Sequence, residues 1–370
     1  MAYSLFSGKI IDCLGSRDDL ANKKIRMVSK ESFIKDPLRL IRAYRIGAQL
    51  GFEVEHQTVA TINNNIKLIR NSAVERVKAE LFKMFTVQKS HHYLSQMASV
   101  GLLFEIFPEL AGLKGCLQNR YHRYDVFEHT MKAFYHLEKL LYEYCNIIFS
   151  PTDSDLTCSY LTGSLDNESR AALLKCAILL HDIGKPTART VDNKGKVHFY
   201  GHEKKGADIA MITSKRLKFS NREKNYLDFI IRNHMRPLFL FIANREKKLT
   251  RNNLTRFFMR CGDNIPDLML HAIADIRGKE NKSADEFMAF VENIIHDFFS
   301  EFKQKKLKPP LITGYDLINE FGLIPSPLFR TILNRVEEAR LSGKIKTKKQ
   351  AIGSVKRFIT DNLNGQGNRI

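Results

Sequence analysis

What this sequence lacks narrows it first. No apolar run approaches the roughly 20 residues of a helical membrane crossing, and the longest clean one, near Ala171-Leu180, is interrupted by Lys175. Met1-Ile10 has no basic stretch followed by an apolar one, so it does not read as a secretory leader. The six cysteines, at 13, 116, 145, 158, 176 and 261, form no C-x-x-C pair. Their scatter argues against a zinc knuckle and fits reduced thiols in a cytoplasmic protein. No internal repeat is visible.

What is present is a chain of 370 residues with 44% hydrophobic content, enough for two or three domains with a substantial core. Its formal charge of +19 is spread along the sequence rather than gathered in a tail. Such a surface attracts polyanions, above all nucleic acid phosphates.

The first 26 residues alternate over Tyr3-Ile11 and read as one or two edge strands. From Ser32 the periodicity becomes helical. Ser32 can cap, Pro37 suits a first turn, and Leu38, Ile41 and Ala48 recur at helical spacing until Gly51. Further helices are expected over His56-Leu68, Ala73-Phe85, His91-Val100 and Phe127-Leu141. A polar insertion at about 146–169 interrupts them, and they resume at Arg170. After a basic linker, Lys303-Lys308, three short helices are expected: Tyr315-Phe321, Pro327-Ser342 and Lys348-Asn362.

Nine of the twelve histidines fall between residues 120 and 300. The focal stretch is Leu173-Lys185, L-L-K-C-A-I-L-L-H-D-I-G-K, where an apolar helical run ends in His181-Asp182. A lone His-Asp pair there reads as a helix cap. Partners elsewhere in the chain shift the reading toward a cation, which offsets the desolvation of buried polar groups. His129 begins one amphipathic helix, and Asp275 shares a helical face with Leu268 and Ala272. His202 and His234 lie between them at helix edges.

This order resembles the His-Asp (HD) domain, an all-helical metal-dependent phosphohydrolase fold. The resemblance implies that His129, His181, Asp182 and Asp275 hold a divalent metal (Mn, Ni, Co or Mg), with His202 and His234 on a second ion or a phosphate. Asp182 could then accept a proton from metal-activated water, and Lys185 could neutralise phosphate charge.

A wider resemblance covers essentially the whole chain. Asp36-Pro37-Leu38-Arg39 through Leu50-Gly51-Phe52, and Glu75-Arg76-Val77-Lys78-Ala79-Glu80-Leu81, resemble the neck of bacterial CCA-adding enzymes, the tRNA nucleotidyltransferases. Leu311-Ile312-Thr313-Gly314-Tyr315-Asp316 and Gly322-Leu323-Ile324-Pro325 resemble that family's C-terminal region. By this resemblance Asp36 and Arg39 read the Watson-Crick edge of an incoming nucleotide, and Arg42, Arg45 and Arg76 contact RNA. Lys35 stands where the family usually has Glu.

Residues 1–26 resemble only the closing strands of the family's catalytic head. The one Asp-x-Asp, Asp153-Ser154-Asp155, lies in the polar insertion without flanking strands. Nucleotidyl transfer is therefore not expected from this chain alone.

The fold expected is mainly α, in four parts. These are a short β remnant of the head (1–26), a multi-helical neck and body (27–115), an HD domain (116–302), and a basic linker with a helical tail (303–370). The leading expectation for function is a cytoplasmic HD-type hydrolase of a phosphomonoester or cyclic phosphodiester, at an RNA 3′ end or on a nucleotide. One alternative is the tRNA-binding half of a split or truncated CCA-adding enzyme, partnered by a separate nucleotidyltransferase head. Another is a non-catalytic RNA-binding module. None of these involves a membrane.

Overall fold

The computed structural model describes residues 2–3, 5–117, 124–144, 151–279 and 284–366. The fold is mainly α, as the sequence indicates, with four two-stranded pairings of two residues per strand. No helix among the described residues is long and apolar enough to cross a membrane. The chain divides into two compact units.

The first unit comprises Met1–Pro237 and Asp267–Met288. Its opening strands, Ala2–Tyr3 and Ile10–Ile11, pair antiparallel, and a helix not foreseen in the sequence, Ser16–Ala21, follows them. Lys24–Ile25 then pairs in parallel with Glu53–Val54, beyond the next two helices.

The single helix expected from Ser32 to Gly51 is in fact two, Glu31–Lys35 and Arg39–Leu50. The cause is Pro37, whose ring disfavours helical backbone at the residue before it. Asp36 accordingly sits at φ −142°, ψ 89°. Ser32 is not the cap either: its hydroxyl donates to the Ser29 carbonyl. Gly51 does end the second helix, at φ 66°, where a side chain would be strained.

Helix Val126–Lys139 starts in a capping box between Asp125 and Glu128, and Asn221–Asn233 in one between Ser220 and Glu223. Helix Arg170–Leu180 is buried all round from Ala172 onward, which is why its apolar residues show no stripe. Even Lys175 is fully buried there, its ammonium held by the Glu138 carboxylate at 2.8 Å and the Val87 carbonyl at 3.0 Å.

Of the polar insertion, residues 146–150 lie outside the described residues. From Pro151 the stretch is ordered as helix Pro151–Thr162 and a hairpin, Ser164–Leu165 with Glu168–Ser169. Its turn puts Asp166 at φ 56°, a conformation that Asp and Asn tolerate.

Two glycines bring the functional helices together. A Cβ on Gly184 would lie 2.2 Å from the His202 carbonyl and 2.4 Å from the Gly206 amide. The turn after His181-Asp182 can therefore touch helix His202–Arg216 only because Gly184 lacks a side chain, while a Cβ on Gly206 would sit tightly at 3.3 Å from the Gly184 amide and the His181 carbonyl.

The second unit comprises Leu238–Pro266 and Ala289–Ile370. Its last three helices, Gly314–Phe321, Pro327–Leu341 and Lys348–Gln366, close on a core of Ile312, Leu317, Ile332, Val336, Ile345, Ala351 and Val355.

Candidate functional site

Six residues singled out in the sequence meet inside the first unit. His129 comes from helix Val126–Lys139, His181 and Asp182 from the end of Arg170–Leu180, and His202 from the start of His202–Arg216. His234 closes Asn221–Asn233, and Asp275 lies on Ile265–Gly278. Ligand atoms of His129, His181 and Asp275 lie within 4.8 Å of one another, as do those of Asp182, His202 and His234. All six are buried, with His181 at 0% exposure and Asp182 at 1%.

Hydrogen bonding fixes the rings. The Nδ1 atoms of His181, His202 and His234 lie 2.7, 2.8 and 2.7 Å from the carbonyls of Ile178, Phe199 and Ile231, each three residues earlier. A carbonyl only accepts, so each Nδ1 carries the proton, and in the neutral rings Nε2 is the acceptor. The Nε2 atoms of His202 and His234 face each other at 3.2 Å. Two lone pairs so placed repel unless a cation sits beside them.

The carboxylates carry matching charge. His129 Nε2 is 2.8 Å from Asp275 Oδ1, and His181 Nε2 lies 3.1 Å from Asp182 and 3.4 Å from Asp275. Lysine ammoniums stand 2.6 Å from each acid, Lys185 at Asp182 and Lys279 at Asp275. The Lys185 contact is an ion pair without hydrogen-bond geometry, so Asp182 Oδ2 still has no hydrogen-bond donor, and neither ring nitrogen His181 Nε2 nor His129 Nδ1 has a partner. These orphaned buried atoms fit a divalent cation, and imidazole with carboxylate is the donor set that first-row metals take.

Ionisation follows the same logic. Burial alone would raise Asp182 and Asp275. The charges of His181 and Lys185 on the first, and of Lys279 on the second, hold both carboxyls well below the usual range. Burial alone would lower His181, but the negative charges of Asp182 and Asp275 beside it carry it up to about 9. His234 is pushed down to about 3 by burial and by the His181 charge, and burial also lowers His129 and His202. The negative field that keeps a proton on His181 is the field that would hold a metal ion.

His271 completes the cluster and was missed in the sequence. It is fully buried with neither ring nitrogen bonded, and its ring centroid lies 5.2 Å from that of His181. Its spacing of four from Asp275 on one helix was the available signal.

The second group lies on the neck helices. Asp36, at the proline break, has guanidinium nitrogens of Arg39, Arg42 and Arg76 each 3.8 Å away. Its side chain is 26% exposed, and Arg76 is 56% exposed. Arg45 does not join them: it pairs with Glu80 at 2.9 Å, which occupies the guanidinium expected on RNA. A cavity of about 290 Å³ adjoins this group, lined by Arg26, Met27, Phe33, Arg39, Arg42 and Thr58.

Three family profiles match the chain. One describes an RNA- and SrmB-binding site of polymerase A, over residues 51–113; another the HD domain, over 126–256; the third a tRNA nucleotidyltransferase domain 2, over 214–355. An A-adding tRNA nucleotidyltransferase from Deinococcus radiodurans is 28% identical over 97% of this chain and 77% of its own length. A CC-adding tRNA nucleotidyltransferase from Thermus thermophilus is 29% identical over 93% of this chain and 71% of its own. Among solved structures, a CCA-adding enzyme with CTP has a TM-score of 0.58 at 13% identity, covering 95% of this chain and 67% of that one. The Thermotoga maritima CCA-adding enzyme complexed with tRNA has a TM-score of 0.56 at 15% identity, covering 94% and 67%.

These matches overturn the leading expectation. The hydrolytic reading rests on the His-Asp cluster as the most complete set of reactive groups in the sequence, and the expectation of no nucleotidyl transfer from this chain alone rests on the lack of an Asp-x-Asp with flanking strands. The relatives aligned along nearly the whole chain are nucleotidyltransferases. A cluster able to bind metal does not fix the reaction of the framework around it. The parts given to Asp182 as proton acceptor and Lys185 as phosphate partner belong to that hydrolytic reading.

Proposed function

We propose, from the profile matches and from its similarity to tRNA nucleotidyltransferases along nearly its whole length, that the chain belongs to the CCA-adding tRNA nucleotidyltransferase family and carries an HD domain. It serves nucleotidyl transfer to the 3′ end of tRNA, in the cytoplasm, and its neck helices hold the incoming nucleotide. The supporting observation is the convergence of Arg39, Arg42 and Arg76 on Asp36 at 3.8 Å each. Contacts of that length leave hydrogen-bonding capacity unused on both sides. Asp36 offers acceptors and Arg39 a fork of donors, which complement a base edge, while Arg42 and Arg76 carry the positive charge that phosphates require. The +19 surface supplies the wider attraction to tRNA.

The His-Asp cluster holds a divalent cation through His129, His181 and Asp275 and through Asp182, His202 and His234. Its imidazole-rich donor set favours Co or Ni over Mg and Mn, which prefer oxygen.

The test is incorporation of labelled CTP and ATP into a tRNA transcript lacking its 3′ CCA, by the chain alone and with a co-expressed nucleotidyltransferase head. Incorporation in either arm that falls about tenfold or more in Asp36→Ala supports the proposal. Absence in both arms, with RNA binding intact, leaves the chain an RNA-binding module and defeats it.

A further inference from the structure

A second cavity in the first unit has a chemistry of its own. It encloses about 380 Å³, within the range of small-ligand sites, between the start of helix Ser90–Ser99 and the end of helix Val126–Lys139. Lys89, His91, His92, Tyr135, Lys139 and Tyr142 line it, none of them part of the Asp36 group or the His-Asp cluster.

Its floor is rigid. The Glu138 carboxylate, 4% exposed, accepts from the Ser90 amide at 2.8 Å, the Ser90 hydroxyl at 2.6 Å and the Lys175 ammonium at 2.8 Å, and from His91 Nδ1 at 2.6 Å. Burial would raise this carboxyl, but His91 and Lys175 bring it down to about 2. Glu138 is thus a charge already neutralised by buried Lys175, and it does not repel an anionic ligand. It also fixes His91 with the proton on Nδ1, so that Nε2 is the nitrogen not engaged by Glu138.

The walls combine aromatic faces with cations. The Tyr135 ring packs edge to face on His91, with centroids 4.7 Å apart, and the Lys139 ammonium lies 5.0 Å from the Tyr135 centroid. Tyr142 is anchored by a 2.8 Å bond from its hydroxyl to the Thr86 carbonyl, while Lys89 stands exposed at the rim. Aromatic faces beside lysines match a heterocyclic base with an attached phosphate.

We propose that this cavity binds one nucleoside phosphate, its base stacked on tyrosine and its phosphate held by Lys89 and Lys139, either as a free nucleotide or as one nucleotide of a bound RNA. The RNA source rests on the tRNA-binding reading above, and the free-nucleotide source does not.

Photocrosslinking of the full chain tests it, with 4-thiouridine monophosphate as one probe and a tRNA transcript carrying 4-thiouridine as the other. Crosslinks are mapped by peptide mass spectrometry. Crosslinks to the segments 88–92 or 135–142 are expected, reduced about tenfold or more in Lys139→Glu, retained in Tyr135→Phe and unchanged in Asp36→Ala. The probe that gives them identifies the source. No crosslink in these segments from either probe, or the same yield in Lys139→Glu, overturns the proposal. If crosslinks here persist while nucleotide incorporation is absent, the proposed function fails and this inference stands. The reverse result sinks this inference alone.

Discussion

The His-Asp cluster and the Asp36 group are both carboxylates ringed by cations, yet they are built for opposite ends. Asp182 is 1% exposed with an ammonium at 2.6 Å, whereas Asp36 is 26% exposed with its three guanidiniums at 3.8 Å. The first arrangement is closed and its charges are locked, so its interaction energy is invested in the folded state. The second is open and loose, and its capacity is left for a ligand. The motif most conspicuous in the sequence is thus the one least accessible to a large substrate.

Substitutions at the two groups should separate accordingly. Asp182→Ala removes the buried counter-charge beside the Lys185 ammonium and the cation on His181, and we expect a loss of about 3–5 kcal/mol in urea unfolding of the first unit. A loss below about 1 kcal/mol would mean that the cluster is not locked, and the contrast would collapse. Gly184→Ala drives a methyl group into backbone, 2.2 Å from the His202 carbonyl. It should cost about 3 kcal/mol and lower bound metal, read by elemental analysis of the purified protein. Unchanged metal content would show that the close contact with helix His202–Arg216 does not assemble the cluster.

Metal removal comes next in size. If the cluster holds a cation, chelation should lower stability by about 2.7 kcal/mol where the metal had stood at a hundred times its dissociation constant. Calorimetry with EDTA, and with Mn, Co or Ni restored, measures it. A melting temperature indifferent to both would remove the cation from the account. The smallest effect belongs to Asp36→Ala, where the surrounding pairs are exposed: stability should change by less than about 1 kcal/mol. A larger loss would make Asp36 a structural brace rather than a ligand group.

Much of the fold is legible in the sequence because helical periodicity is local. Helix Ile265–Gly278 carries Leu268, Ala272 and Asp275 on one face, and the apolar run before His181 is helical to Leu180. The break at Asp36 was less visible, since Pro37 reads equally as a first-turn proline or as a residue forcing its predecessor out of the helix. Helix Pro151–Thr162 was hidden by its polar composition, which carries little apolar periodicity even though Leu161 is buried.

The six His and Asp side chains come together across 146 residues of sequence, from His129 to Asp275, with Gly184 and Gly206 permitting the approach. Residue type and order could suggest that meeting. The pairing of Nδ1 of His181, His202 and His234 with a carbonyl three residues back, and the burial of His271 beside them, emerge only from the folded chain. The reaction was misread for a different reason. Reactive groups are concentrated at one motif, while similarity to the nucleotidyltransferases is spread thinly over almost every segment.

One measurement bears most directly on the contrast: nucleotide incorporation into tRNA lacking CCA, per folded molecule, for Asp36→Ala beside the isosteric Asp182→Asn. The account predicts a fall of about tenfold or more for Asp36→Ala and near wild-type incorporation for Asp182→Asn. Incorporation that survives the loss of Asp36 but disappears with Asp182→Asn would contradict it.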